Sequence, residues 1–537
     1  MKRNTLAVLA TLLICFANNA LSDKTKPNIL WINIDDQSPW YESYGDNTVE
    51  TPNIDALARQ GVLFERAYVP TPVCAPSRSS LITGNYNIRI GAHDMRSGRV
   101  PGYQIHLPED VTTLPELFRT AGFETYNDSK DDFNFTYKRS DLYSIGATNQ
   151  PDITAGKTKT AMSGKAAGKK AAVGKQAAKS AAKTAANATG LKGKSTLARG
   201  DQSWKGAPGG GDWSDVPKGK AFFGQTSVAG GKGMNVAAMA SYGATPVDPA
   251  SVRVPAQYPD IPQVRQHIAT HYNSVLRTDY QIGQKIERLK QDGLWENTII
   301  FLFTDHGSDM PRSKEFVYVE GLHVPLIVIA PGMQDVVKPG TRRSDIVNLM
   351  DVAATSLALA GLEIPESMDA KNLFAKDYAR KYVFSSADRM SNVIDRVRSV
   401  MGERYHYIRN FMLDRPLMNW GHREMISLAN PEASSFLTIR RLAEEGKLTA
   451  AQAAPYGPRI AEELYDLKND PDEVVNLAAD PAHKAKLDEM RAALAWWIED
   501  TDDKGQYPRS QAAMDEITGR FPVNWLRSPE FAHLKED

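Results

Sequence analysis

Apolar runs that end abruptly at charged residues organise this chain. Residues 28–34 (NILWINI) are apolar without alternation and stop at Asp35-Asp36. A continuous run of that length predicts a strand covered on both faces, as in a parallel sheet. Residues 298–303 (TIIFLF) repeat the pattern and end in Thr304-Asp305-His306-Gly307, and residues 324–330 (VPLIVIA) predict a third strand of the same type. Between them the period changes. Over 266–292, Ile268, Tyr272, Val275, Ile282, Ile286 and Leu289 keep a three-four spacing, and Gly293 suits the helix stop. Asp279 falls on that stripe and reads as a paired structural acid. Strands alternating with helices predict an α/β fold with a large, mostly parallel sheet between helices. Such sheets place their chemistry at the carboxyl ends of the strands.

The texture changes after about residue 375. KYVFSSADR, RVRSVMGERYHYIRNF and ELYDLKNDPDEVVNL predict a smaller α+β unit over 376–537, closed by a helix near 484–499 that carries Leu487, Met490, Leu494 and Trp497. The preceding unit, 23–375, is interrupted by an Ala/Lys/Gly-rich stretch at about 155–213 that lacks the large apolar residues needed to offset its ordering entropy. It reads as a flexible inserted loop. Its basicity suits either a polyanion or a plain solvated spacer.

Charge changes the picture only locally. The chain has 537 residues with 64 basic and 64 acidic side chains. Nothing global therefore argues for nucleic acid or an anionic membrane. Residues 155–200 hold 11 Lys or Arg and no acid, leaving 53 basic against 64 acidic side chains elsewhere. The start reads as an export signal over 1–22. Lys2 and Arg3 precede the apolar run 6–17, and Ala20-Leu21-Ser22 offers small residues at a cleavage site. The run is short for a bilayer span, so the expectation is a periplasmic or secreted protein without stable membrane insertion. Ile14 before Cys15 disfavours a lipoprotein signal.

Export sharpens the cysteine arithmetic. Only Cys15 and Cys74 are present, and removal of the signal leaves Cys74 alone. A lone thiol in an exported protein is either a small buried residue or a chemical group. Its surroundings, PVCAPSRSSLITG at 72–84, favour chemistry. Pro76 is tolerated in a first helical turn and Gly84 suits the stop, so Cys74 lies at a helix amino terminus, where free N–H groups and the dipole favour an anion. Arg78, four residues on, adds a fixed positive charge at the same end. Asp35, Asp36, Asp305 and His306 end two strands. Together they suit one divalent cation, and oxygen-rich ligation favours calcium or magnesium over zinc.

With these residues assembled, the chain resembles the sulfatases of the alkaline-phosphatase-like superfamily. Cys74-Ala75-Pro76-Ser77-Arg78, followed by Leu81, Thr83 and Gly84, fits that family's C-x-P-S-R-x-x-L-x-T-G signature. The text around Lys130 (YNDSKDDFNF) looks most like the subgroup of heparan N-sulfatases and related bacterial sulfatases. The resemblance implies that a formylglycine-generating or equivalent maturation enzyme oxidises Cys74 to Cα-formylglycine (3-oxoalanine). One hydroxyl of the hydrated aldehyde attacks sulfur, and the second later expels sulfate. It implies Ca2+ ligands at Asp35, Asp36, Asp305, His306 and the Cys74 position, with Arg78 and nearby lysines holding the sulfuryl charge. Lys130 matches the lysine of the family's G-K-x-H element, and Lys314, in PRSKEFVYVEGLHVPLIV, a second sulfate-binding lysine.

Two family histidines are replaced. Asp132 stands where one often sits, and KAFFGQTSVAGGKGM (220–234) contains none, with Lys232 near that place. His93, His323 and His271 are the substitutes for substrate contact or proton donation. His271 lies beside an apolar helix stripe and reads more readily as structural. The Arg-rich stretch from Asp388-Arg389 to Arg398 suits either an anionic sugar chain or a solvated face. The implied activity is hydrolysis of sulfate esters, or sulfamates, on a sulfated polysaccharide or its oligosaccharides. Two alternatives stay open: a phosphodiester or phosphonate hydrolase of the same superfamily, and a degenerate, non-catalytic binder of sulfated glycan.

Overall fold

A computed structural model describes residues 26–146, 211–418 and 427–535. The expected export signal, Cys15 and the inserted stretch up to residue 210 lie outside the described residues.

The first unit is built on seven strands: β1 (Asn28–Ile34), β2 (Val62–Tyr68), β3 (Glu124–Asn127), β4 (Phe222–Val228), β5 (Thr298–Thr304), β6 (His323–Ile329) and β7 (Thr341–Asn348). Their spatial order is β3-β4-β1-β5-β6-β2-β7. The pairs β3/β4, β4/β1, β1/β5 and β2/β7 are parallel. The pairs β5/β6 and β6/β2 are antiparallel. The sheet is therefore mostly parallel, but the strand read from VPLIVIA runs against its neighbours. An apolar run reports burial on both faces and carries no sign of direction.

Burial explains the unbroken apolar runs. Ile29 and Trp31 of β1, with Ile299, Phe301 and Phe303 of β5, face one core. The intervening Leu30, Ile32, Ile34, Ile300 and Leu302 face the other. Helices α1 (Pro52–Gln60), α2 (Cys74–Thr83), α3 (Pro262–Gln291) and α4 (Asp351–Leu359) cover these faces. The α3 stripe of Ile268, Tyr272, Val275, Ile282, Ile286 and Leu289 is buried as expected. Asp279 is a structural acid, as read, and its partners are amides. Its carboxylate accepts the backbone N–H groups of Asn53 and Ile54 at 3.0 and 2.8 Å, and so caps α1 from another helix. Trp213 departs from the inserted-loop reading. It is buried, donates its indole N–H to Asp292 at 2.7 Å and lies under the Arg288 guanidinium.

The second unit is an antiparallel sheet of β8 (Val383–Ala387), β9 (Val397–Met401), β10 (Tyr405–Asn410) and β11 (Glu462–Asp466), followed by α5 (Lys484–Asp500) and α6 (Gln511–Arg520). Leu487, Met490, Leu494 and Trp497 of α5 join the same hydrophobic cluster as Ile29 and Trp31. Trp497 stacks on Phe384 at 5.1 Å and meets Tyr86 edge-on at 5.1 Å. The two units thus share one core.

The Arg-rich stretch at 388–398 is neither a solvated face nor an open sugar platform. Asp388 and Arg398 are fully enclosed and Arg389 is 2% exposed. Arg398 holds Asp388 through Nη1 and Nη2, both at 3.0 Å, and Asp503 through Nε at 2.9 Å and the shared Nη2 at 2.7 Å. Removing one partner of a buried ion pair strands the other charge, at a cost of roughly 3–5 kcal/mol. Arg398→Leu is therefore expected to lower unfolding stability by about that amount. The denaturant midpoint checks it, and an unchanged midpoint would show that the two carboxylates find other partners.

Candidate active site

Four adjacent parallel strands deliver their carboxyl ends to one point. β1 and β5 pair in register up to Ile34 and Thr304, so Asp35 and Asp305 emerge side by side. β4 flanks β1 on the other side, and Ala229-Gly230-Gly231-Lys232 follow directly from it. The Gly231 N–H donates to the Asp35 carbonyl at 2.8 Å. Gly230 has φ 55°, and a Cβ there would meet the Asp35 carbonyl oxygen at 1.7 Å, so no side chain fits. β3, next to β4, leads into Lys130 and Asp132.

Cys74 opens α2 in this setting and is 1% exposed. Its Sγ lies 3.1 Å from His306 Nε2 and 3.8 Å from Asp36 Oδ1. The ammonium groups of Lys314 and Lys232 stand 3.5 and 3.6 Å from the same sulfur. Lys314 Nζ also holds Asp36 Oδ2 at 2.7 Å, and Lys232 Nζ lies 3.2 Å from Asp35 and 3.1 Å from Asp36. Lys130 Nζ sits 3.1 Å from Asp132 and 3.8 Å from Asp35. Arg78 spends its guanidinium on structure. Nε reaches Asp305 at 2.9 Å, Nη2 reaches Asp35 at 2.5 Å, and Nη1 reaches the Lys130 carbonyl at 3.1 Å. It positions carboxylates, whereas the resemblance had placed it on the sulfuryl group.

The electrostatics follow from burial and crowding. Burial opposes ionising Cys74, but Lys130, Lys232, Lys314 and His306 outweigh it and hold the thiol well below its ordinary range. Burial and the neighbouring Asp35 charge push Asp305 up to about 6, against His306 and Arg78. Burial also opposes charging His306, yet Asp305 and Asp36 raise it to about 9. The imidazole Nδ1 faces the Gly307 carbonyl at 2.9 Å, which orients Nε2 toward the cluster.

The donor set fits a divalent cation. Ligand atoms of Asp36, Cys74, Asp305 and His306 all lie within 4.8 Å of one another, and Asp35 is joined to Asp305 through Arg78. Asp35, Asp36, Asp305 and Asp132 supply four negative charges against four positive ones from Arg78, Lys130, Lys232 and Lys314. A divalent cation added to that balance leaves a positive site, suited to a tetrahedral anion.

The three histidines separate. His323 begins β6 at the same sheet edge, but its Nε2 is taken by the Glu65 carbonyl at 2.8 Å and its ring lies against Tyr68. Burial lowers it to about 4. It does not face the cluster as expected. His271 packs edge-on against Trp40, and burial lowers it to about 4 as well. His93 lies on the loop that carries Asp94 and Arg96, and its buried Nδ1 has no hydrogen-bond partner among the described residues. Asn134 ties that loop to α2 by donating to the Ala92 and Asp94 carbonyls and accepting nothing from it, while its own N–H goes to Ser79 Oγ. Lys232, which the sequence put near the place of the second family histidine, comes within 3.6 Å of the Cys74 sulfur although it was not among the expected site residues. Two glycines directly after a strand, then a cation, were the signal for it.

The chain belongs to the sulfatase family, which it matches over residues 27–189 and 214–362. Residues 311–415 also match the C-terminal family of N-sulphoglucosamine sulphohydrolase. It is 29% identical over 510 residues to an ulvan-active sulfatase of Formosa agariphila, covering 90% of this chain and 77% of that one. It is 23% identical to human N-sulphoglucosamine sulphohydrolase, covering 89% and 90%. The fold is shared with the phosphonate monoester hydrolase of Silicibacter pomeroyi, with a TM-score of 0.57, 19% identity and coverage of 89% and 96%. The protein is a sulfatase.

Gly230→Ala tests how the strand ends are set. The added methyl must push Asp35 from its place, and a shift of about 1 Å can cost roughly a hundredfold in rate. The expected result is a folded protein whose kcat/KM for an aryl sulfate falls by about that factor. Unchanged turnover would mean that Asp35 does not depend on this contact.

Proposed function

We propose that this sulfatase hydrolyses sulfate esters on a sulfated glycan, using Cα-formylglycine made from Cys74 and a Ca2+ ion. The observation that carries the reading is the convergence on Cys74 of two lysine ammoniums, His306 and Asp36 at the carboxyl edge of the sheet. Hydrated formylglycine supplies an oxygen nucleophile and a second hydroxyl able to expel sulfate, and the cation adds Lewis-acid stabilisation of charge. Asp35, Asp36, Asp305 and His306 would hold that cation.

The chain's own residues do the rest. Lys314 and Lys232, beside the Cys74 sulfur, bind sulfuryl oxygens and stabilise the charge that builds on them. Lys130 supports the same field from the Asp35 and Asp132 side. Arg78 fixes the separation of Asp35 and Asp305. His93 is the group we assign to protonate the leaving oxygen, because its loop is tied to α2 through Asn134 and its Nδ1 is uncommitted. Such a proton donor contributes typically 10²–10⁴-fold.

The names of the relatives support a glycan substrate, since one is called ulvan-active and another acts on N-sulphoglucosamine. The leader-like start supports export to the periplasm or beyond. A phosphonate hydrolase shares the fold, and a tetrahedral-anion site does not by itself separate sulfur from phosphorus, so aryl sulfate and aryl phosphonate belong in the same assay.

Protein made with a formylglycine-generating enzyme is expected to yield a Cys74 peptide in which CHO replaces CH2SH, with aldehyde reactivity. Cys74→Ala is expected to remove turnover while leaving the melting temperature near that of the parent. Full activity of that variant would overturn the nucleophile. Exhaustive chelation is expected to lower turnover, with recovery on adding Ca2+. Unchanged rates in metal-free protein would overturn the cation site.

A further inference from the structure

Beside the Cys74 cluster lies a group of arginines that the reaction above does not use. The loop and ribbon at 94–104 and the carboxyl end of α6 bring Arg96, Arg99 and Arg520 together. The contacts lead outward from the cluster in order. Lys130, 3.8 Å from Asp35, lies 3.1 Å from Asp132. Asp132 is also reached by Arg96 at 3.2 Å and Arg99 at 3.0 Å. Arg520 then donates to the Arg96 carbonyl at 3.0 Å.

The charges there do not balance. One carboxylate, Asp132, serves three cations, and no carboxylate among the described residues lies within ion-pair distance of Arg520. The second nearby acid, Glu516, accepts the Gly98 and Arg99 backbone N–H groups at 3.2 and 3.1 Å. Asp94 is engaged by Nε and Nη2 of Arg509, both at 2.7 Å. The Arg520 guanidinium is crowded by the like charges of Arg96, Arg389 and Arg99. The Arg99 Nε has no hydrogen-bond partner among the described residues. The Arg96 side chain is 40% exposed and Arg520 lies open to solvent. Arg96 and Asp132 both hold left-handed backbone, φ 54° and 56°, which costs non-glycine residues energy and so marks an enforced arrangement.

We propose that Arg96, Arg99 and Arg520 form an anion-reading shelf that binds a second negatively charged substituent of the substrate, a carboxylate or a second sulfate, beside the sulfate being cleaved. Planar guanidinium groups suit either anion through paired N–H donors. The shelf rests on the sulfatase reading above and narrows it. The preferred substrate is a polyanionic glycan unit, and a sugar whose only charge is the scissile sulfate is a poor one. α6 belongs to the second unit, so that unit contributes to selectivity.

The test uses three sugars that share one scissile sulfate: a neutral monosulfate, the same sugar linked to a uronate, and the same sugar with a second sulfate. The parent, matured with formylglycine, is compared with Arg520→Gln. Arg520 is exposed and satisfies no acid, so its loss strands no charge. One charge-assisted contact is expected to shift the kcat/KM ratio of doubly charged to neutral sugar by roughly ten- to a hundredfold. Loss of preference confined to the uronate identifies a carboxylate site, and loss confined to the disulfate identifies a sulfate site. Calorimetry of the same sugars on Cys74→Ala protein, with and without Arg520→Gln, gives a readout that needs no turnover. Equal ratios and equal affinities in parent and variant would overturn the shelf while leaving the sulfatase reading intact. Absent turnover with Arg520-dependent binding would overturn the reaction and keep the shelf.

Discussion

The structure depends on keeping three carboxylates ionised in a place where water is largely excluded. Asp35, Asp36 and Asp305 are at most 2% exposed. Burial alone would protonate them, and mutual repulsion adds to that tendency. Arg78 answers both by bridging Asp35 and Asp305 with separate nitrogens of one rigid plane. Because α2 carries Arg78 one turn after Cys74, the helix that neutralises the carboxylates also sets the reacting position. Neither function can be moved without the other.

The strand order explains why so many cations can be gathered. β3, β4, β1 and β5 are consecutive neighbours and all parallel, so four loops leave the same edge within a short arc. Each brings one part: Lys130, Lys232, the Asp35-Asp36 pair, and Asp305-His306. Lys314 comes from the segment between β5 and β6. An antiparallel sheet would have sent alternate loops to the opposite edge.

Much of this was legible in the amino-acid order. The β1 and β5 strands and their acidic ends could be read because strands buried on both faces are apolar throughout, and a charge ends them abruptly. The α3 stripe and the four buried residues of α5 followed from helical period. The direction of β6 could not be read, since direction depends on connections and leaves no local trace. Arg398 and Arg389 resembled a surface run because, apart from Asp388, the acids that pair with them (Asp503, Asp94 and Glu516) lie over a hundred residues away. His323 was misplaced for a related reason. Its position at the strand start is local, whereas the Glu65 carbonyl that captures its ring belongs to a neighbouring strand. Trp213 was grouped with its glycine-rich surroundings, although a single large ring can enter a core from such a stretch.

The second unit does more than complete a core. Stacking of Trp497 on Phe384 and against Tyr86 fixes α5 to the catalytic unit. From there the chain reaches Arg509, which holds Asp94, and Glu516, which holds the ribbon amides. The loop bearing His93 and Arg96 is therefore clamped from both units, by Asn134 on one side and by Arg509 and Glu516 on the other. Left-handed backbone at Asp36, Arg96 and Asp132 costs about 1–3 kcal/mol at each position and persists only where neighbours over-determine it. Each of the three carries a charged side chain tied to at least one opposite charge from a distant segment: Asp36 to Lys314, Arg96 to Asp132, and Asp132 to Arg96 and Arg99. The strain and the ion pairs are thus two sides of one arrangement, in which long-range pairing holds the local backbone in the form that the site requires.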